Sequence, residues 1–222
     1  MKKAKTIFLA IIAGIAMTAC GGGSKPSTTD ADSTIKQMEA ELAGLKSYIL
    51  KAVIHAGEEG YKLTNTMTIW QDLENEKSAS ELESVIESFG HKQTTKMLYI
   101  EDSEWTYAIN LQTNTGSKTR STKGEFDMFD KELIDDDMTF RQMIEEEGGR
   151  IVGNEVILGK NCIVVETIDD DDYEATVTKI WYYKGLPLKM VSDQMTMEVT
   201  HFEENARIPA DKFKVPSGVT IR

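Results

Sequence analysis

The sequence has few of the residues on which catalytic and metal sites are usually built. It contains three histidines and two cysteines in 222 residues. Nucleophilic catalysis needs a base, usually histidine, beside the nucleophile, but His55, His91 and His201 stand in no recognised catalytic or zinc-binding pattern. Because His55 and His201 end alternating strands, we expect them at edge or half-buried structural positions. The sequence therefore predicts no enzyme activity, no metal site and no cofactor.

The sequence also has fewer basic than acidic residues. The chain carries 25 basic and 37 acidic residues, for a net charge of −12. This excess of negative charge repels phosphate backbones and argues against a nucleic-acid partner. The acidic run at 169–172 could collect calcium, but it lacks the spaced ligands and the glycine of a known calcium loop. We interpret it as a solvated hairpin tip.

The longest apolar run lies at the N-terminus and is too short to span a membrane. Residues 7–16 are apolar, three lysines precede them, and Met17-Thr18-Ala19-Cys20 follows, which resembles the lipobox of bacterial lipoproteins. We predict a signal peptide over residues 1–19, lipid on Cys20 and a flexible tether over residues 20–33. Two or three acyl chains on one cysteine anchor a protein stably to a membrane. The alternative is an ordinary secretory signal with a chance cysteine.

The residues after Cys20 bear on where the anchored protein is sorted. No aspartate follows Cys20 directly, and no acidic cluster comes within the next few residues. By resemblance to known sorting signals, the first absence argues against retention at the inner membrane, and the second weakens the case for surface display. We therefore expect the outer membrane, with the protein facing the periplasm. Lipid on Cys20 also leaves Cys162 without an intrachain partner, so we expect Cys162 to be a small buried hydrophobe.

Most of the remaining chain reads as strands, and in the last third apolar and polar residues alternate as in a sheet with one apolar and one wet face. The run at 46–55 also fits a helix, and we interpret it as a strand. Helices are predicted from Thr34 to Leu45 and around Phe140, Met143 and Ile144, the latter ending at Gly148. Turns are predicted at 57–60, 114–116 and 185–187. The other predicted strands are 66–70, 95–100, 105–111, 161–168, 175–183 and 195–199.

Methionine and aromatic residues recur on the apolar positions of these strands. Methionine suits irregular apolar ligands because it is flexible and polarizable. Ordinary core packing is the alternative for each residue. The candidate ligand-binding residues are Met97, Trp105, Tyr107, Trp181, Met195 and Met197.

Four segments carry a family resemblance: 105–118, 153–162, 181–189 and 208–216. Together they resemble an uncharacterised family of bacterial envelope lipoproteins related to the LolA/LolB lipoprotein carriers, over roughly residues 46 to 222. The resemblance implies an α+β fold, a strongly curved antiparallel sheet forming an open half-barrel with helices on its concave side. We expect residues 34–222 to form one such domain.

The resemblance also implies a function, since the concave side holds acyl chains in the carriers. We therefore expect a lipid-anchored envelope protein that binds a lipid or another hydrophobic ligand. The alternative is a non-catalytic interaction or structural lipoprotein with a fully packed core and a protein partner. An apolar hollow would favour the first hypothesis, and an exposed apolar patch would favour the second.

Overall fold

The computed structural model of the chain describes residues 44–121, 142, 144–145, 148–169 and 176–222. The elements that it describes in full are strands and one short 3-10 helix at Ala210–Phe213. The strands are β1 Ser47–Glu58, β2 Tyr61–Asp72, β3 Lys77–Ser88, β4 His91–Glu101, β5 Trp105–Asn110, β6 Thr115–Arg120, β7 Gly149–Ile157, β8 Lys160–Asp169, β9 Thr176–Tyr183, β10 Leu186–Val191, β11 Met195–Glu204 and β12 Thr220–Ile221.

All the described strands belong to one sheet in the order β12-β6-β5-β4-β3-β2-β1-β11-β10-β9-β8-β7. Neighbouring strands are antiparallel except β12, which pairs parallel to β6. Several connections are tight hairpin turns. Lys184–Gly185, Leu158–Gly159 and Phe89–Gly90 each place two successive residues at positive φ, the geometry that matches the twist of the flanking strands.

The predicted α+β class is wrong. Strands account for 69% of the described residues, and no helix covers a concave side of the described sheet. Residues 34–43 of the first predicted helix lie outside the described part, as do Phe140 and Met143 of the second. Ile144 is described and buried, and it packs against Ile163 and Val165 of β8. Several of the described strands extend beyond the predicted ranges.

The predicted strands at 46–55, 66–70, 95–100, 161–168, 175–183 and 195–199 lie within β1, β2, β4, β8, β9 and β11 or overlap them. Other details differ. Strands β3, β6, β7, β10 and β12 were not predicted. The turn predicted at 185–187 is Lys184–Gly185, and Pro187 lies inside β10, at a register shift, where a strand tolerates proline. Leu111 follows β5 in a turn.

One face of the sheet, which we call the front face, carries the largest buried cluster. It includes alternate residues of β1, namely Tyr48, Leu50 and Ala52, whose side chains are almost fully buried. Cross-strand partners share a face, so the cluster extends to both sides of β1. We call it the front cluster: Leu45, Tyr48, Leu50, Ala52, Ile69, Cys162, Val164, Trp181, Leu186, Leu188, Met197 and Val199.

The half of the sheet that contains β1, β11, β10, β9, β8 and β7 is bent. Register shifts interrupt the pairing of β1 with β11, β9 with β10 and β7 with β8, and bulges of this kind bend a strand and increase its twist. Lys160 of β8 forms an ion pair with Glu204 of β11 although β9 and β10 lie between them. Neighbouring strands lie about 4.8 Å apart, so these side chains meet because the sheet curves towards the front face.

The opposite face, which we call the back face, is also partly buried. Trp70, Ala79, Leu98, Ile100 and Ile109 form a second cluster there. Side chains of the C-terminal segment, from Ile208 to Ile221, pack over this cluster. The back face of β2 to β5 is therefore not a wet face, because the C-terminal segment shields it from water.

Candidate functional site

An apolar row crosses the front face from its buried centre towards its rim. Ala52 of β1 lies opposite Met67 of β2, Met67 opposite Leu82 of β3, and Leu82 opposite Met97 of β4. Ala52 is fully buried, but the other three side chains are only half-buried. Leu63 and Ile86, a second half-buried pair, face the same way. The apolar surface of the front cluster thus continues as a partly exposed strip, which we call the apolar row (Ala52, Met67, Leu82 and Met97).

A polar atom lies beside the apolar row. Asn65 of β2 is two residues from Met67 and therefore shares its face. Its side-chain oxygen is buried and has no hydrogen-bond partner within the described part of the chain. Buried acceptors are normally paired. This oxygen could accept a hydrogen bond from a molecule held along the row.

A cluster of charges closes one end of the front cluster. Glu204 accepts hydrogen bonds from Nζ of Lys160, from Nζ of Lys184 and from the hydroxyl of Tyr183, the last at 3.0 Å. The ammonium of Lys160 lies 5.2 Å from the ring centroid of Tyr183 and 5.9 Å from that of Phe202. We call Lys160, Lys184 and Glu204 the cationic cluster, since it has two positive charges and one negative charge.

The environment of Glu204 explains why its carboxyl group is ionised. Burial by itself would raise the pKa of this carboxyl, but the hydrogen bonds from Lys160, Lys184 and Tyr183 outweigh burial and lower the pKa to about 2. Glu204 is therefore ionised at neutral pH. Its charge holds two lysines in a largely desolvated position, with Lys184 buried at the β9–β10 turn.

The six predicted ligand-binding residues do not lie together. Met97, Met195 and Met197 are on the front face, where Met197 and Trp181 belong to the front cluster and Met195 is also buried. Trp105 and Tyr107 alternate with the front-face residues of β5 and point to the back face. Tyr107 packs against the back cluster. Sequence alternation identified each apolar position, but not which of the two faces it joins.

Trp105 has a different environment from the one predicted. Its half-buried ring lies beneath two cations, Lys118 at 4.4 Å and Arg120 at 5.6 Å from the ring centroid. Both cations belong to the neighbouring strand β6 and are exposed. The arrangement stabilises the β5–β6 pair by cation–π contact.

The three histidines and Cys162 lie in different environments. His55, His91 and His201 are exposed on β1, β4 and β11, whereas we expected edge or half-buried positions for His55 and His201. Cys162 is fully buried in the front cluster, and burial raises the pKa of its thiol to about 11. The prediction that Cys162 is a small buried hydrophobe is confirmed.

Among the residues that the structure describes, no three side chains of histidine, cysteine, aspartate or glutamate are grouped so as to hold a metal ion. In the same ranges, no helix has the length and apolar character needed to cross a membrane. Asp169 ends β8, and the rest of the acidic run at 170–172 lies outside the described residues.

Several solved proteins align with the chain at low sequence identity. An uncharacterised conserved protein from Thermus thermophilus aligns with a TM-score of 0.48 and 10% identity, over 86% of this chain and 98% of that one. LprF from Mycobacterium bovis aligns with a TM-score of 0.43 and 11% identity, over 84% and 98% of the two chains. The lipoprotein LppX from Mycobacterium tuberculosis aligns with a TM-score of 0.40 and 12% identity, over 83% and 100%.

No family model matches the chain, and no curated protein matches its sequence.

Proposed function

We propose that this chain is a lipid-anchored protein of the cell envelope that binds the apolar chain of a lipid on its front face. The observation that carries the proposal is the apolar row. Its inner end is fully buried core, and its outer residues Met67, Leu82 and Met97 are half-buried on the same face. A ligand laid along the row would complete their burial.

The chemistry of the row suits a flexible apolar ligand. Full burial of a methionine or leucine side chain is worth about 1.5–3 kcal/mol, so each half-buried residue can still gain about half of that. Methionine adapts its shape to irregular partners. Met195 and Met197 continue the same face inward, with Trp181 in the buried floor. Trp105 and Tyr107 face the back and are left out of the proposed surface.

The anchor belongs to the same proposal. Lipid on Cys20 and a tether over residues 20–33 would hold the domain of residues 34–222 close to a membrane, which is the source of its ligand. We place the protein at the outer membrane, facing the periplasm, and assign it no catalytic step.

The test is equilibrium binding of tritiated hexadecanol, a neutral ligand, to the full chain in a non-ionic detergent. The double variant Met67→Gln/Met97→Gln keeps side-chain length but places amides on the row, and an unpaired buried amide costs about 1–3 kcal/mol. We expect affinity to fall at least tenfold, since tenfold is about 1.4 kcal/mol.

The matched control is Val85→Thr, a half-buried position of β3 on the back face, which should bind like the parent. An absence of binding by the parent, or equal binding by the double variant, would refute the proposal.

One observation favours a second candidate, a protein partner. Val156 and Leu158, at the β7–β8 hairpin, are 69% and 48% exposed, and β7 is an end strand of the described sheet. Exposed apolar residues at a sheet edge are typical of protein contacts. Val156→Gln should leave hexadecanol binding unchanged, which separates this surface from the front face.

A further inference from the structure

We propose that Lys160 and Lys184 form a binding site for the single anionic group, a carboxylate or a phosphate monoester, of an amphiphile. This inference rests on the proposed function, because the apolar chain of that amphiphile would lie on the front face. The ligand class thereby narrows from any apolar molecule to an anionic single-headed lipid.

The position of the cationic cluster supports the inference. Glu204 pairs with Tyr48 at the start of β1, and Ala52, the inner end of the apolar row, lies four residues further along that strand. Four residues of strand span about 13 Å. The rings of Tyr183 and Phe202, which pack against the front cluster, form an apolar surface beneath the Lys160 ammonium. Leu50 and Ala52 are fully buried, so an apolar chain whose head group is bound by the two lysines would start on the half-buried rings of Tyr183 and Phe202.

The charge balance points to an anion. In the described part of the chain, Glu204 is the one carboxylate that pairs with either lysine, so one positive charge of the cluster is not compensated there. An ammonium has three donors, and the contact with Glu204 uses one on each lysine. In a protein with a net charge of −12, the cationic cluster by itself carries one net positive charge beside the front cluster, where the nearby carboxylate of Glu155 accepts a hydrogen bond from Nε1 of Trp181.

Lys160 is more accessible to solvent than Lys184. The side chain of Lys184 is 10% exposed and that of Lys160 is 29% exposed. Lys184 is held rigidly by Glu204, while Lys160 is open enough to meet an incoming group. Charge-assisted hydrogen bonds in such partly desolvated positions are about twice as strong as neutral ones.

The experiment is competition against bound tritiated hexadecanol on the full chain in non-ionic detergent. The competitors share one apolar chain length: hexadecanoate, hexadecyl phosphate and the neutral methyl hexadecanoate. Acetate and inorganic phosphate test the head groups alone. For the parent we expect both anionic amphiphiles to displace the probe at least tenfold better than the ester, and the free head groups to displace none.

The diagnostic variant is Lys160→Gln, which should reduce that preference to within threefold while the ester competes as before. The control is Lys189→Gln, because Lys189 is 30% exposed, also lies over an aromatic ring, and pairs with Glu198 outside the cluster. A parent that binds all three amphiphiles equally, or a Lys160→Gln protein that keeps the anion preference, would overturn the inference and leave the proposed function intact. Failure of hexadecanol itself to bind the parent would remove both.

Discussion

Glu204 is the residue whose environment makes the clearest prediction about stability. Its pKa is lowered from 4.5 to about 2 in the folded protein. A lowered carboxyl pKa stabilises the fold above the unfolded value, and this contribution is lost as the pH falls through the folded value. The stabilisation by Glu204 should therefore be complete above about pH 4.5 and disappear towards pH 2, with a size on the order of 3 kcal/mol.

We expect Glu204→Gln to be less stable than the parent at pH 7 and to lose less stability between pH 5 and pH 2.5. The measurement is urea unfolding at both pH values. Glu203→Gln is the control, since Glu203 is the exposed neighbour on the same strand. Parallel pH profiles for the parent and Glu204→Gln would show that the carboxylate is not coupled to folding.

At the same scale, the sequence predicted the environment of some residues and not of others. Cys162 stands among Ile163, Val164 and Val165, and this local context was enough to predict burial. Lys184 and Glu204 are ordinary charged residues in the sequence, and only the turn at Lys184–Gly185 and the curvature of the sheet bring them together. Nothing in their spacing could have signalled the cationic cluster.

At the scale of elements, the contact of β12 with β6 depends on a glycine. A Cβ at Gly116 would lie 2.8 Å from the Ala108 carbonyl oxygen, 3.0 Å from Cγ1 of Ile109 and 3.1 Å from Cδ1 of Ile221. Overpacking of this kind costs about 1–3 kcal/mol. We therefore expect Gly116→Ala to lower the free energy of unfolding by that amount and to loosen the C-terminal strand.

Two observables check this prediction. Urea unfolding gives the stability, and amide hydrogen exchange should become faster at Thr220 and Arg222, whose N–H groups donate to Asn114 and Gly116. Ser117→Ala, at the exposed neighbouring position, should change neither. Unchanged exchange at both amides in Gly116→Ala would mean that β12 does not need the glycine.

Strands β11 and β3 show when a period-two pattern suffices to predict a strand. In β11, Met195, Met197 and Val199 alternate with polar residues, and the strand was predicted. In β3 the front-face positions include Ser78, Ser80 and Ser84, so the apolar alternation disappears. Pairing with β2 and β4 over the full length of β3 forms that strand, which is a tertiary influence that local sequence does not contain.

At the scale of the whole molecule, the prediction concerns anchoring. The lipobox-like Met17-Thr18-Ala19-Cys20 lies outside the described residues, and lipid on Cys20 remains a proposal. We expect Cys20→Ser to abolish labelling by a clickable fatty acid and to release the protein from the membrane fraction, since one modified cysteine supplies the two or more acyl chains that stable anchoring needs.

The control for anchoring is Cys162→Ala, which removes the other cysteine and should keep both the label and the membrane association. Labelling that persists in Cys20→Ser would assign the lipid to another site and refute the proposal for Cys20.

The sequence by itself determined the apolar positions of most strands, the burial of Cys162 and the antiparallel hairpins, because side-chain alternation and turn residues are local properties. Only the tertiary structure decided which face each strand buries. Trp105 and Met97 both lie on alternating strands, yet the register of β4 with β5 sends them to opposite faces. Register, bulges and the C-terminal cover depend on contacts between distant segments, and these contacts divide one predicted apolar surface into a front face and a back face.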